Sequence, residues 1–200
     1  RCPVFIASNK EIGLTKESLD LASLKLPEVS NRTHYDGDNF QPFKAPATQC
    51  PPFSPIGGST IVRTTSSTHG ADGYITNDPE TIGRSQARLR DKILAHQQSI
   101  TLWDETIEEG SEILIITYGV TSRAVAESIK LANKCGLKIS HLTLKTIWPV
   151  PEALIRAAAE PFSRIIVFEM NLGQYVEEVR KVLPTKHVEF YGQLDGTLIT

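Results

Sequence analysis

The segment Arg164–Leu183, RIIVFEMNLGQYVEEVRKVL, ends an apolar run on Glu169-Met170-Asn171 and opens a helical pattern at Gly173-Gln174. A carboxylate, two amides and a glycine at such a junction can serve a bound molecule. Asn171 tolerates left-handed backbone, Gly173 can open a helix, and Glu169 and Gln174 offer opposed hydrogen-bonding groups. The same groups could instead set the register of a neighbouring protein chain, or only organise their own loop. A second candidate is Tyr118-Gly119-Val120-Thr121-Ser122, where a glycine permits close approach and the hydroxyls of Thr121 or Ser122 could join free helix-start amides around an anion. The plainer alternative is a tight turn with a cap. A third is His69 in TSSTHGADGY, a near-neutral imidazole that Asp72 could orient as a proton carrier, or a solvated loop histidine. No G-x-S-x-G, H-E-x-x-H, G-x-G-x-x-G or Cys/His cluster is present, so catalysis carried wholly within these residues is not expected.

The elements that must position these groups alternate regularly. Apolar runs at Glu112–Tyr118, Leu137–Leu144, Arg164–Phe168 and His187–Tyr191 read as strands. Helical patterns at Thr121–Cys135, Pro151–Ala159 and Gln174–Val182 separate them. The strand cores ILIIT and IIVF are apolar at consecutive positions, as expected where helices cover both faces of a sheet. The fold class is therefore α/β, an open and mostly parallel sheet with helices on both faces. In such sheets ligands bind beyond the carboxyl ends of the strands, which brings YGVTS, KTIWPVPE and EMNLGQ to one edge. Upstream, Asp78-Pro79-Glu80 signals a helix from Pro79 to about Gln98, with Ile82, Leu89, Ile93 and Ile100 near one packing face.

The first half is less regular. Val4-Phe5-Ile6-Ala7 reads as a lone strand, and the chain is expected to be a fragment of a larger polypeptide. Asn39–Gly58 carries five prolines, which argues against helix or central strand there, and its Phe40, Phe43 and Phe53 call for some covering surface. With 21 Lys and Arg against 23 Asp and Glu and no run of like charge, binding to nucleic acid or to a membrane surface is not expected. Cys2, Cys50 and Cys135 are odd in number and form no C-x-x-C, so neither a disulfide framework nor a cluster loop is indicated and a reducing cytoplasm fits. No apolar run approaches the ~18 residues of a membrane span.

The landmarks PVFIAS, THGADGY, YGVTSRAVAESIKLAN, LKISHLTLKTIWPVP and IIVFEMNLGQYVEEV resemble, as a set, the carboxyl-terminal part of the α subunit of 2-oxoacid:ferredoxin oxidoreductases, above all the 2-oxoglutarate type. The resemblance implies two regions. Residues 1–100 would hold the end of a pyrimidine-binding thiamin diphosphate domain, a Pro-rich connector, a polar loop and a linking helix. Residues 101–200 would form a transketolase C-terminal-like domain. It further implies oxidative decarboxylation of a 2-oxoacid with coenzyme A to acyl-CoA, CO2 and reduced ferredoxin, the cofactor carrying the hard chemistry. Thiamin diphosphate and Mg2+ would be held mainly by a partner domain or β subunit, and [4Fe-4S] clusters by partners, in a hetero-oligomer that reaches ferredoxin through the complex. This portion would serve mainly structure, subunit contact and active-site access. The family's loop commonly has His-Asp where this chain has His69-Gly70, which weakens a His69–Asp72 pair. Two rival readings are the matching part of a transketolase or 2-oxoacid dehydrogenase E1 β-type chain, and a stand-alone α/β anion-binding module.

Overall fold

The apolar runs ILIITY, ISHLTL, RIIVFE and VEFYG form strands β2 (Ile113–Tyr118), β3 (Ile139–Leu144), β4 (Arg164–Glu169) and β5 (Val188–Gly192). They belong to a computed structural model that describes residues 4–29, 31–35 and 37–200; Cys2 lies outside the described residues. The chain divides into two compact units, one built on Glu17–His96, the other on Phe5–Lys16 and Gln97–Thr200.

In the second unit a further strand, β1 (Trp103–Thr106), completes a five-stranded sheet in the order β1-β3-β2-β4-β5. β2, β3, β4 and β5 are mutually parallel, and β1 runs antiparallel along β3 with Trp103 opposite Leu144 and Thr106 opposite His141. The chain leaves β2 through α4 (Thr121–Lys134) to β3 on one side. It then crosses back through α5 (Glu152–Ala159) to β4 on the other, and α6 (Gln174–Val182) leads to β5. This reversal puts α4 on one face and α5 with α6 on the other. Val125 and Ile129 of α4 pack on Ile115, while Ile155, Val176 and Val179 join Leu114, Ile116 and Val167 in the larger core. Each such side chain fully removed from water contributes roughly 1.5–3 kcal/mol, so the two-sided burial is what holds the parallel strands.

Local chemistry ends these helices where the expected patterns stop. Gly136, at φ +85°, follows α4 and donates to the Asn133 carbonyl while Leu137 N–H reaches Ala132, which satisfies two last-turn carbonyls. The Lys186 ammonium donates to the carbonyls of Ala159, Glu160 and Phe162 at 2.7, 2.7 and 2.9 Å and closes the end of α5.

The first unit has little regular structure: a 3-10 turn at Leu21–Ser23 and α2 (Pro79–Leu94). Asp78 caps α2 by accepting from Thr81 N–H at 2.9 Å, and hydrogen bonding to the Thr81 side chain and then to its backbone lowers the carboxyl pKa. Two connector phenylalanines are covered by the unit's own rings, Phe40 against Tyr35 and Phe43 stacked on His69, whereas Phe53 is edge-on to His34 and remains exposed. Arg32 adds a guanidinium over Phe53.

Three expectations change. Val4–Ala7 is not a strand: Val4, Phe5 and Ile6 are 83, 93 and 92% exposed, with no neighbouring strand among the described residues to take their backbone groups. A five-residue helix, α1 (Lys10–Leu14), follows them instead. The helix from Pro79 stops at Leu94, a separate turn α3 spans Gln97–Ile100, and α2 buries none of its residues, so its expected packing face is unfilled. β1 carries no sequence signal because WDET is exposed throughout, an edge strand without a buried face. No helix among the described residues is long and apolar enough to cross a membrane.

Candidate functional site

The chain reversal around β2 opens a crevice between the carboxyl ends of β2 and β4, because the connections from these neighbouring strands leave to opposite faces. Open α/β sheets use such crevices for ligands. Here Tyr118 ends β2 and Glu169 ends β4, and their side chains meet on the α6 face.

Glu169 is 1% exposed, and its carboxylate accepts four hydrogen bonds. Tyr118 OH donates to Oε2 at 2.8 Å, Asn171 Nδ2 to Oε2 at 2.9 Å, Tyr175 N–H to Oε2 at 3.0 Å and Val176 N–H to Oε1 at 2.9 Å. Two of these donors are first-turn amides of α6, which have no partner within the helix and lie at its positive end. The Asn171 amide also donates to Tyr118 Oη at 2.7 Å, and its own Oδ1 accepts from Gly173 N–H and Gln174 N–H at 2.8 and 3.1 Å. Gly173 takes φ +97°, where a Cβ would sit 3.2 Å from Val176 Cγ1, so the turn needs glycine for backbone and for space. The whole EMNLGQ turn is thereby tied to its own backbone and to β2.

The phenols respond to this setting. Burial, followed by the hydrogen bond and charge of Glu169, pushes the Tyr118 pKa well above the ordinary phenol value. Burial, followed by the charges of Glu178 and Glu169, raises that of Tyr175 as well. The Tyr175 hydroxyl is buried without a hydrogen-bond partner, 8% of the residue being exposed, and its ring lies 5.3 Å from that of Tyr118.

At the YGVTS junction the expected anion cradle is already engaged. Gly119 takes φ +63°, and Val120 N–H donates to Oδ1 of Asn9 at 3.2 Å. Ser122 N–H and Arg123 N–H bond the carbonyls of Gly119 and Val120. Thr121 is buried, and Ser122 Oγ turns inward to accept from Thr117 Oγ1 at 2.9 Å. A cavity of about 240 Å³ lies beside this turn, lined by Ile12 and Thr15 of the amino-terminal segment, Thr121, Arg123, Met170 and Ile199.

The structure thus joins Tyr118, Glu169, Asn171, Gly173 and Gln174 in one network and assigns Gly119, Thr121 and Ser122 to a separate turn. Three details differ from expectation. Asn171 has no left-handed backbone and works through its side chain. Gln174 contributes its backbone amide, its exposed side chain standing apart from Glu169. His69 and Asp72 are not paired: Asp72 Oδ1 accepts from Tyr74 N–H at 3.0 Å in a tight turn, and His69 Nδ1 lies 3.3 Å from the Gly70 carbonyl while its ring stacks on Phe43 at 3.6 Å. Asn9 and Tyr175 escaped the sequence reading. Asn9 lies 111 residues from Val120, and Tyr175 stands within a helical pattern that gives its hydroxyl no signal of its own.

The described residues do not fit a thiamin diphosphate–Mg2+ site or an iron–sulfur ligand set. They contain no group of three or more His, Cys, Asp or Glu side chains able to hold a metal, Cys50 and Cys135 are separate exposed thiols, and the amides of Val120, Ser122 and Arg123 at the start of α4 are taken.

Comparison with known proteins agrees with this architecture. Residues 111–200 match the family described as pyruvate:ferredoxin oxidoreductase core domain II. The chain is 34% identical over 183 residues to 2-oxoglutarate synthase subunit KorA of Methanothermobacter thermautotrophicus, covering 91% of this chain and 49% of the relative. It is 33% identical over 184 residues to the same subunit of Methanothermobacter marburgensis, with 91% and 49% covered. The solved 2-oxoglutarate:ferredoxin oxidoreductase of Magnetococcus marinus, with 2-oxoglutarate, coenzyme A and succinyl-CoA bound, has the same fold over 86% of this chain and 31% of its own, at TM-score 0.77 and 22% identity. The chain spans about half the length of the curated relatives it matches. The matched domain and relatives make the chain similar, over most of its length, to subunits of 2-oxoacid:ferredoxin oxidoreductases.

Proposed function

We propose that this chain is the carboxyl-terminal portion of an α-type subunit in a 2-oxoglutarate:ferredoxin oxidoreductase. The observation that carries the reading is the likeness to 2-oxoglutarate synthase subunits along 91% of the chain, reinforced by the domain II match. In this reading the assembled enzyme converts the 2-oxoacid and coenzyme A to acyl-CoA, CO2 and reduced ferredoxin. Thiamin diphosphate, Mg2+ and [4Fe-4S] clusters reside in partner domains or subunits, and thiamin diphosphate supplies the carbanion chemistry there.

The role of the present chain is structural. Glu169, buried and accepting four hydrogen bonds from its own surroundings, acts by fixing the turn between β4 and α6. The edge so stiffened is offered to neighbouring subunits and borders the route to the active site.

The test is co-purification of the chain with its neighbouring subunits, followed by viologen or ferredoxin reduction with a panel of 2-oxoacids and coenzyme A. Coenzyme A-dependent reduction with 2-oxoglutarate preferred is the expected result. Reduction of a lipoyl domain instead, or no subunit partner and tight binding of a small anion by the chain alone, would overturn it.

A further inference from the structure

On the other face of the sheet, a histidine that plays no part in the network above lies in the path between β3 and α4. His141 is 6% exposed and pairs in register with Ile115 of β2, which packs on Val125 and Ile129 of α4. Its Nε2 lies 2.7 Å from Thr117 Oγ1 and 3.4 Å from Thr143 Oγ1. Thr117, itself fully buried, donates to Ser122 Oγ in the first turn of α4. An unbroken hydrogen-bonded line therefore runs from a buried imidazole to the helix start beside the carboxyl edge. We propose that this site is a pH-responsive latch: His141 Nε2–H donates to Thr117, whose own proton goes to Ser122, and a second proton on the imidazole puts a charge with no carboxylate partner on the face that α4 covers and unseats the first turns of that helix.

The surroundings supply no buried counter-ion. Among the described residues Glu169 is the one carboxylate buried below a tenth exposure, and it lies on the opposite face. From β1, the register partner of His141 is Thr106; Asp104, on the same face, is held by Lys145, the residue after β3, at 2.5 Å with both side chains at least half exposed. Beyond β1, Glu108 accepts from Asn133 near the far end of α4. β2 presents Ile115 and Thr117 and no charge. From α4, the charged Arg123, Glu127 and Lys130 are exposed, and the buried positions are Thr121, Val125 and Ile129. An imidazolium here is desolvated without a carboxylate to meet it, and burial accordingly lowers the His141 pKa from its ordinary value.

The sign follows. An opened form with a solvated imidazole titrates near 6.5, while the closed form stays neutral, so the opened form binds more protons as pH falls below that value. At pH 5.5 the opening equilibrium rises by up to about tenfold, the ratio set by one pH unit below the solvated pKa. This device is independent of the proposed activity: a chain that turned over no oxoacid would still show it.

Hydrogen exchange of the 121–129 segment, corrected for intrinsic rates, tests it at pH 7.5, 6.5 and 5.5 in the intact chain. Protection falling by up to tenfold across that range, with the change abolished in His141→Gln, is the expected result. Equal acceleration in His141→Gln overturns the latch. If that variant does not fold, NMR titration of the imidazole in the unaltered chain decides: a midpoint at or above 6.5 overturns the proposal, and one clearly below supports it.

Discussion

Glu169→Gln is the substitution that most directly tests the reading of the edge. The amide keeps the shape of the carboxylate but replaces one oxygen by a donor. With its oxygen in the Oε2 position it still serves Tyr118, Asn171 and Tyr175, and its NH2 then faces the Val176 amide that Oε1 had accepted. The flipped orientation sets the NH2 against three donors and is worse. The better orientation therefore loses one charge-assisted hydrogen bond and leaves a buried amide unpaired, a loss of roughly 2–3 kcal/mol. For a chain of this length that corresponds to a fall in Tm of roughly 5–10 °C. Urea unfolding followed by fluorescence measures the loss, and hydrogen exchange at Tyr175 and Val176 localises it to the start of α6. A stability change below about 0.5 kcal/mol with unaltered protection would refute the capping role. If such a variant also abolished turnover in the assembled enzyme, the carboxylate would be a ligand group instead.

Asn9→Ala removes the acceptor for Val120 N–H and is expected to destabilise the α4 start by about 1 kcal/mol, read as faster exchange of that amide. Lys186→Met strips three carbonyls of their donor and is expected to lower stability by about 1–3 kcal/mol in denaturant titration. Tyr175→Phe removes a hydroxyl that has no partner, so stability at neutral pH is expected to stay level or rise, whereas Tyr118→Phe loses a bond to Glu169 and destabilises. Both phenols have raised pKa values, so the stability of their neutral forms is fully present below about pH 10 and is lost as pH rises beyond it. The double Phe variant should accordingly show a flatter alkaline limb in unfolding free energy.

Much of the α/β half was legible because apolar continuity is itself the cause of the structure. ILIIT and IIVF can be strands only if helices cover both faces, and the helices between them carry matching apolar stripes. The edge strand β1 was not legible, since an exposed strand leaves no burial pattern for a sequence to record. His141 was within reach: ISHLTL alternates, and a histidine in phase with Ile139 and Thr143 must lie on the face that α4 covers.

The residue types at the carboxyl edge were also visible, but their meaning was not. Whether Glu169, Asn171 and Tyr118 faced a ligand or one another depended on β4 lying beside β2 rather than beside β3, which the reversal of the crossover decides. The same holds for Asn9, whose acceptor reaches Val120 only because residues 5–16 pack within the second unit despite their distance in sequence. Sequence alone determined the four parallel strands and the helices between them with their covered faces, because periodicity and burial are local properties of the chain. Tertiary structure alone decided that the edge's polar groups satisfy each other, because a buried donor takes whichever acceptor the strand order brings within about 3 Å.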